Sequence, residues 1–243
     1  MEKFIEKDGQ VVVSSCICGS SKLKPYKNVI SAPVMHVEFC SGKILVNTLS
    51  RFMLCEDCGL VIQSPRMSDE RISEYYESGM YRKTLGLSEE AMDKDEKYRA
   101  ERVALWVRET AIPENLLDIG SSRGYFAEAM RVPFDTDELL TSYSKILTAS
   151  MNNSGTYDMV SALHVLEHVP HPYETLLEWA EKSSRYLLLE VPNDYSPGGP
   201  LRFAHTYQFN YEILAGWLKD AGFSVIKTSY DPALTILAER NPK

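Results

Sequence analysis

The sequence predicts an α/β fold: a mostly parallel sheet with helices on both faces, closed by a terminal antiparallel hairpin and preceded by a small cysteine-bearing module. Three observations carry that prediction. From residue 115 onward short apolar runs alternate with helical segments, the pattern of strands buried on both sides. The last two runs, FSVIKTSY and ALTILAER, are joined only by Asp231 and Pro232 and so pair with each other. Two close cysteine pairs, Cys16 and Cys18 in SSCICGSS and Cys55 and Cys58 in MLCEDCGLV, stand ahead of the alternating region.

Each cysteine pair precedes a glycine, which fits a tight knuckle turn whose backbone amides point at the thiolate sulfurs. Four thiolates around one tetrahedral zinc ion are the expected site, closed and structural rather than catalytic. The first pair is CxC, one residue shorter than the common spacing, and His36 and Cys40 in APVMHVEFC are spare ligands. The competing reading is four buried free thiols, since cysteine packs as a small hydrophobe.

Ser68 is placed to cap a helix over DERISEYYES, with acidic residues in its first turn. A second helix is expected from Ser88 to about Thr110, its apolar face made by Ala104, Leu105, Trp106 and Val107 and its end set by Pro113. NLLDIG then reads as a buried strand and SRGYFAEAMR as a helix. VPFDTD is a poor strand, and DELLTSYSKILTAS reads as one helix. YDMVSAL is a strand, PYETLLEWAEKS a helix, RYLLLEV a strand and FNYEILAGWLKDAG a helix. Trp179, Phe209 and Trp217 sit among apolar neighbours as packing residues. The chain divides into a module at 1–67, linking helices at 68–112 and a main domain at 113–243.

Composition narrows the function. Of 243 residues, 44% are hydrophobic and 25% charged, as in ordinary globular proteins. The net charge is −8, and residues 1–70 carry 8 basic against 8 acidic side chains, so the negative excess lies beyond them. An acidic body argues against nucleic acid as the main partner, because phosphate binding needs clustered lysine and arginine. No apolar run is long enough for a membrane span and MEKFIEKDGQ lacks the apolar stretch of a signal peptide, so a cytoplasmic protein with no membrane partner is expected.

The stretch LLDIGSSRGYF, residues 116–126, ends a strand with an acidic residue and two glycines. In sheets of this kind ligands bind at the carboxyl ends of the strands. Gly120 lets the chain turn sharply, and a side chain there is expected to enter the ligand's space; Gly124 lets the next helix approach; Asp118 offers a carboxylate to a ligand ammonium or hydroxyl. Neither GxxxxGK[ST] nor GxGxxG is present, so this is not a phosphate loop. Tyr125 and Phe126 read equally as ligand contacts and as core, and Arg123 as exposed. His164, Glu167 and His168 spell HxxEH, an inverted zincin pattern, but that chemistry needs a helix of several turns. A strand-like run precedes them and Pro170 and Pro172 follow at once.

These residues resemble the class I S-adenosylmethionine (SAM) dependent methyltransferases. The first motif of that family, in outline DxGxGxG, matches Asp118, Gly120 and Gly124, with Ser122 at the middle glycine. YDMVSALHVLEHVPHPYETLLE resembles the fourth strand and its LEHV loop, YLLLEVPND the fifth strand, and HTYQFNYEILAGWLKDAGF the end region of many small-molecule members. The resemblance implies a Rossmann-like sheet and a methyl donor held by Asp118, Gly120, Ser121, Ser122, Gly124 and Tyr125, with Leu163 and His164 lining the pocket. It also implies an acidic residue at the end of a second strand, Asp135 or Asp137, holding the ribose hydroxyls. His164, His168 and His205 are the implied catalytic candidates, with His168 or His205 placed to take a proton from an acceptor hydroxyl. The cysteine knuckles resemble the zinc-ribbon-like module of bacterial methyltransferases among sugar-modifying enzymes. The implied acceptor is a small polar molecule, a sugar or nucleotide-sugar first. The alternatives are a binding scaffold with a degenerate SAM fold, and an RNA methyltransferase whose zinc module recognises the substrate.

Overall fold

The computed structural model describes residues 4–7, 10–26, 36–39, 42–45, 52–77, 88–131, 134–137, 156–193 and 205–242. The N-terminal third is strand-rich, with β1 (Phe4–Lys7), β2 (Gln10–Val13), β3 (Leu23–Pro25), β4 (His36–Phe39) and β5 (Gly42–Leu45). β6 (Phe52–Cys55), β7 (Val61–Gln63) and β8 (Arg66–Met67) follow. Two helices come next, α1 (Asp69–Glu77) and α2 (Glu89–Arg108). The caps fall where the sequence puts them. Ser68 Oγ accepts from the Arg71 amide at 3.4 Å and Ser88 Oγ from the Ala91 amide at 3.2 Å, each satisfying one of the orphan N–H groups of a first turn.

The alternating region supplies β9 (Leu116–Ile119), α3 (Tyr125–Met130), β10 (Phe134–Asp137), β11 (Tyr157–Leu163), α4 (Pro172–Lys182) and β12 (Ser183–Pro192). After these come β13 (Tyr207–Gln208), α5 (Tyr211–Asp220), β14 (Phe223–Ser229) and β15 (Ala233–Arg240). The main sheet has the order β10-β9-β11-β12-β15-β14. Its first four strands are parallel and its last two form the expected antiparallel hairpin.

Helices cover both faces, which is why the strand sequences are apolar without alternation. Leu117, Ile119, Leu187 and Leu189 pack on one side with Leu176, Trp179 and Leu214. Leu116, Met159 and Leu188 pack on the other with Val103, Val107, Phe126 and Met130. Trp179 and Phe209 are buried and Trp217 packs partly buried against the same core, as expected of packing residues.

Two expectations are corrected. VPFDTD, a poor strand by composition, forms β10, because pairing with β9 from Phe134↔Leu116 to Asp137↔Ile119 supplies what propensity lacks. In α2 the buried positions are Met92, Ala100, Val103, Ala104 and Val107, spaced by three, four and seven, whereas Leu105 is 64% exposed. Four consecutive residues cannot share one helix face. The helix expected after Asp137 lies outside the described residues, as does Cys40.

A strand from late in the chain ties the N-terminal part to the rest. β13 pairs with β7, Tyr207↔Ile62 and Gln208↔Val61, within a sheet of order β13-β7-β6-β3. The Thr206 amide donates to the Glu167 carbonyl at 2.9 Å, so the residues just before β13 are fixed against the loop that follows β11.

Candidate active site

Strand order reverses between β9 and β11: the chain leaves β9 for β10 on one side and returns to β11 on the other. Loops diverge there and leave a crevice beyond the carboxyl ends of the strands. A cleft of about 510 Å³ occupies that place. Asp118, Gly120, Ser121, Ser122 and Tyr125 line it from the β9 side, and Leu163, His164, His168 and His205 from the opposite side. Asp135 and Asp137 lie on β10, with Asp137 at its carboxyl end beside Ile119. Gly124 sits at the N-terminus of α3 with φ 76°.

Gly120 has two reasons to lack a side chain. Its φ of 66° is a glycine conformation, and a Cβ there would lie 2.5 Å from Val165 Cγ2. The side chain would therefore meet the loop after β11. Ser122, at the position of the motif's middle glycine, holds φ 51° and donates from Oγ to Glu96 Oε2 at 3.0 Å. Arg123 is not simply solvent-exposed: it pairs with Asp93 and, at 2.7 Å, with Glu89. The Tyr125 hydroxyl also donates to Asp93. The acidic face of α2 thus holds the whole turn, while Phe126 is core. Asp118 is buried and accepts from Ser161 Oγ at 2.7 Å. Burial pushes its carboxyl pKa up to about 7, against the opposing Ser161 hydrogen bond.

The other wall is built on two buried carboxylates. Glu190, on β12, accepts from Arg102 Nη2 at 2.8 Å and from Thr235 Oγ1 at 2.6 Å. His164 bridges them, with Nε2 3.2 Å from Glu190 Oε1 and Nδ1 3.4 Å from Glu167 Oε1. Its backbone, at φ 56°, donates to the Glu190 carbonyl at 2.7 Å. Burial alone would raise both carboxyl pKa values, but His168 and His164 hold Glu167 at about 2, and His164, Thr235 and Arg102 hold Glu190 at about 2. Burial would lower His164, yet the two carboxylates raise it. His168 lies 3.6 Å from Glu167 Oε1, meets the Tyr76 hydroxyl through Nδ1 at 2.5 Å, and packs edge-on to His205 with ring centroids 5.0 Å apart. The zincin arrangement is not formed, since Leu166–His168 is a single 3₁₀ turn and His164 precedes it in a left-handed conformation.

Sequence reading misses Tyr76, Arg102 and Glu190. Glu190 carried a signal, an acidic residue ending an otherwise apolar run, LLLEV; the other two come from distant helices and carried none.

At the N-terminal knuckles Cys16 Sγ is 3.5 Å from Cys58 Sγ and Cys18 Sγ is 3.6 Å from Cys55 Sγ, with all four sulfurs within 4.8 Å of one another. Zinc–sulfur bonds of about 2.3 Å place tetrahedral sulfurs about 3.8 Å apart, so the donor set fits the ion. Burial raises the thiols of Cys16 and Cys58. For Cys55 burial acts the same way, but backbone amides of Cys58 and Asp57 bring it down to about 7. These are the knuckle amides the paired glycines imply.

Residues 90–228, more than half of the chain, match the model of the family described as Methyltransferase domain. No curated protein matches the chain. Among solved structures, magnesium protoporphyrin IX methyltransferase from Synechocystis PCC 6803 with bound SAM is 18% identical with a TM-score of 0.53, over 72% of this chain and 98% of that one. 1,6-Didemethyltoxoflavin-N1-methyltransferase from Burkholderia thailandensis, with its substrate and S-adenosylhomocysteine, is 16% identical with a TM-score of 0.53, over 77% and 98%. At such identity these likenesses establish the fold.

The depressed carboxylates make a pH prediction. A folded pKa of about 2 against an ordinary 4.5 means stability that is complete above about pH 4.5 and is lost as pH falls toward 2. His164, raised above 6.5, contributes below 6.5 and loses its share as pH rises through its folded value. Urea unfolding from pH 2 to 8 should show the acid loss in wild type. Glu190→Gln should flatten that loss and lower stability at pH 7 by about 1–3 kcal/mol, because Arg102 and His164 lose a charged partner. Parallel acid profiles for the two proteins would refute the assignment.

Proposed function

The chain belongs to the Methyltransferase domain family, and we propose that it moves a methyl group from SAM to a small polar acceptor, a sugar or nucleotide-sugar first among the candidates. The observation that carries this reading is the cleft itself, placed where strand order reverses and lined by both predicted motifs. When bound, SAM supplies a methyl carbon on a positively charged sulfur: the bond to the acceptor forms as the carbon–sulfur bond breaks, and the acceptor gives up its proton. Donor and acceptor must be held in line, and positioning is the protein's main contribution.

In this reading the β9 side takes the donor. The turn from Gly120 to Ser122 follows its backbone, Tyr125 and Leu163 bound the pocket, and Asp118 meets a ligand donor group that relieves its costly burial. Asp137 holds the ribose hydroxyls, since it stands one strand over at the carboxyl end, where Asp135 is two residues further back. The histidine side takes the acceptor, and its proton leaves there, toward His168 and His205. His164, already paired with two carboxylates, acts as a fixed cation that positions this wall rather than as a base.

We assign zinc to Cys16, Cys18, Cys55 and Cys58 as a structural ion, within a division of the chain at 1–67, 68–112 and 113–243. The scaffold reading lacks a supporting observation, because the cleft keeps its lining and its charged wall. Among the described residues no helix is long and apolar enough to cross a membrane.

Removing Asp137 leaves ribose hydroxyls without a charged acceptor, a change of roughly 1.5–3 kcal/mol. Calorimetry should therefore show SAM affinity falling by about tenfold to a hundredfold in Asp137→Ala and little change in Asp135→Ala. Equal affinity in wild type and Asp137→Ala would remove the ribose assignment.

For zinc, elemental analysis should find about one ion per chain in wild type and none in a Cys55→Ser, Cys58→Ser variant, whose N-terminal region loosens first because metal binding and local folding are coupled. Equal metal content would refute the site.

A further inference from the structure

Glu167, His168 and His205 bring a carboxylate oxygen and two ring nitrogens within 4.8 Å of one another beside the cleft. Glu167 is 1% exposed, and among the described residues neither of its carboxylate oxygens has a hydrogen-bond partner. A fully buried carboxylate with both oxygens unbonded is costly unless a cation supplies the missing interactions. His164 supplies part of that charge from 3.4 Å, through one oxygen. His168 meets the Tyr76 hydroxyl through Nδ1 at 2.5 Å and turns Nε2 toward Glu167 at 3.6 Å. A hydrogen-bonded second ring nitrogen is the usual support of a metal-bound imidazole.

We infer that Glu167, His168 and His205 form a second metal site, distinct from the four cysteines, that holds a divalent first-row transition ion at the acceptor side of the cleft. Two imidazoles and one carboxylate suit manganese, iron, cobalt or zinc and leave coordination positions open. Metal–ligand bonds of about 2.1 Å put neighbouring donors about 3.4 Å apart. The 3.6 Å between His168 Nε2 and Glu167 Oε1 already meets this. His205 brings its ring nitrogen within 4.8 Å of both, and the chain beside it is fixed by the Thr206 amide on the Glu167 carbonyl.

The ion's catalytic use rests on the proposed methyl transfer, whereas its binding does not. An acceptor hydroxyl oxygen enters an open position; the O–H bond breaks and the proton leaves to water. The electron pair stays on the oxygen, which forms the bond to the methyl carbon as the carbon–sulfur bond breaks. With the ion bound, coordination lowers the hydroxyl's pKa and replaces the base role that His168 or His205 has in the metal-free chain.

Manganese separates this site from the cysteines, since thiolates select zinc over it. Titration of the zinc-loaded full chain with Mn²⁺, followed by the electron paramagnetic resonance of the free ion, should remove about one ion per chain from solution. His205→Asn and Glu167→Gln should abolish that uptake with the zinc content unchanged, and Tyr76→Phe should weaken it by about tenfold to a hundredfold with the circular dichroism of wild type. A wild-type chain that takes up no Mn²⁺ at millimolar concentration would overturn the site. So would His205→Asn and Tyr76→Phe variants that bind the ion as wild type does. Loss of SAM binding with Mn²⁺ uptake intact would count against the proposed donor alone, so the two readings fail separately.

Discussion

Two carboxylates buried at the carboxyl edge of the sheet, Glu167 and Glu190, set the conditions the rest of the cleft must meet. Neither can stay ionised in a dry interior without partners, and the partners come from four places in the chain. Arg102 arrives from α2, Thr235 from β15, His164 from the end of β11 and His168 from the turn after it. Satisfying the charge therefore fixes the relative positions of a helix, the terminal hairpin and the loop that forms one wall. The left-handed backbone of His164, which costs a non-glycine residue about 1–2 kcal/mol, is held by its amide on the Glu190 carbonyl and its ring between the two carboxylates.

The opposite wall follows a related rule with weaker charges nearer to water. Glu89, Asp93 and Glu96 on one side of α2 take Ser122, Arg123 and Tyr125, so the turn after β9 is shaped by the helix that lies upstream of that strand. The same helix sends Arg102 to Glu190. One element thus positions both walls, and its buried stripe anchors it on the sheet. That role was hidden in a segment read only as a linker, and the family match beginning at residue 90 includes it.

Elements whose stability is local were legible in the sequence. Ser68 and Ser88 announce their helices, the apolar runs of β9, β11 and β12 announce strands buried on both faces, and Asp231 with Pro232 marks the hairpin turn. What depends on distant partners was not legible. β10 exists through pairing with β9, and β13 crosses to a strand nearly 150 residues earlier. Tyr76 reaches His168 from α1, far upstream. Gly120 shows the same limit at one residue: its need for positive φ is readable from the motif, but its closeness to Val165 belongs to the packed loop.

In the proposed function the cleft between β9 and β11 receives a methyl donor along the Gly120–Ser122 turn and presents its reacting end to the histidine wall. A crystal structure of the full chain with S-adenosylhomocysteine, the demethylated product, tests this most directly. The nucleoside is expected beside Gly120 and the carboxyl end of β10, with the sulfur open toward His168 and His205. A nucleoside bound elsewhere, or no bound molecule after saturation at millimolar concentration, would contradict it.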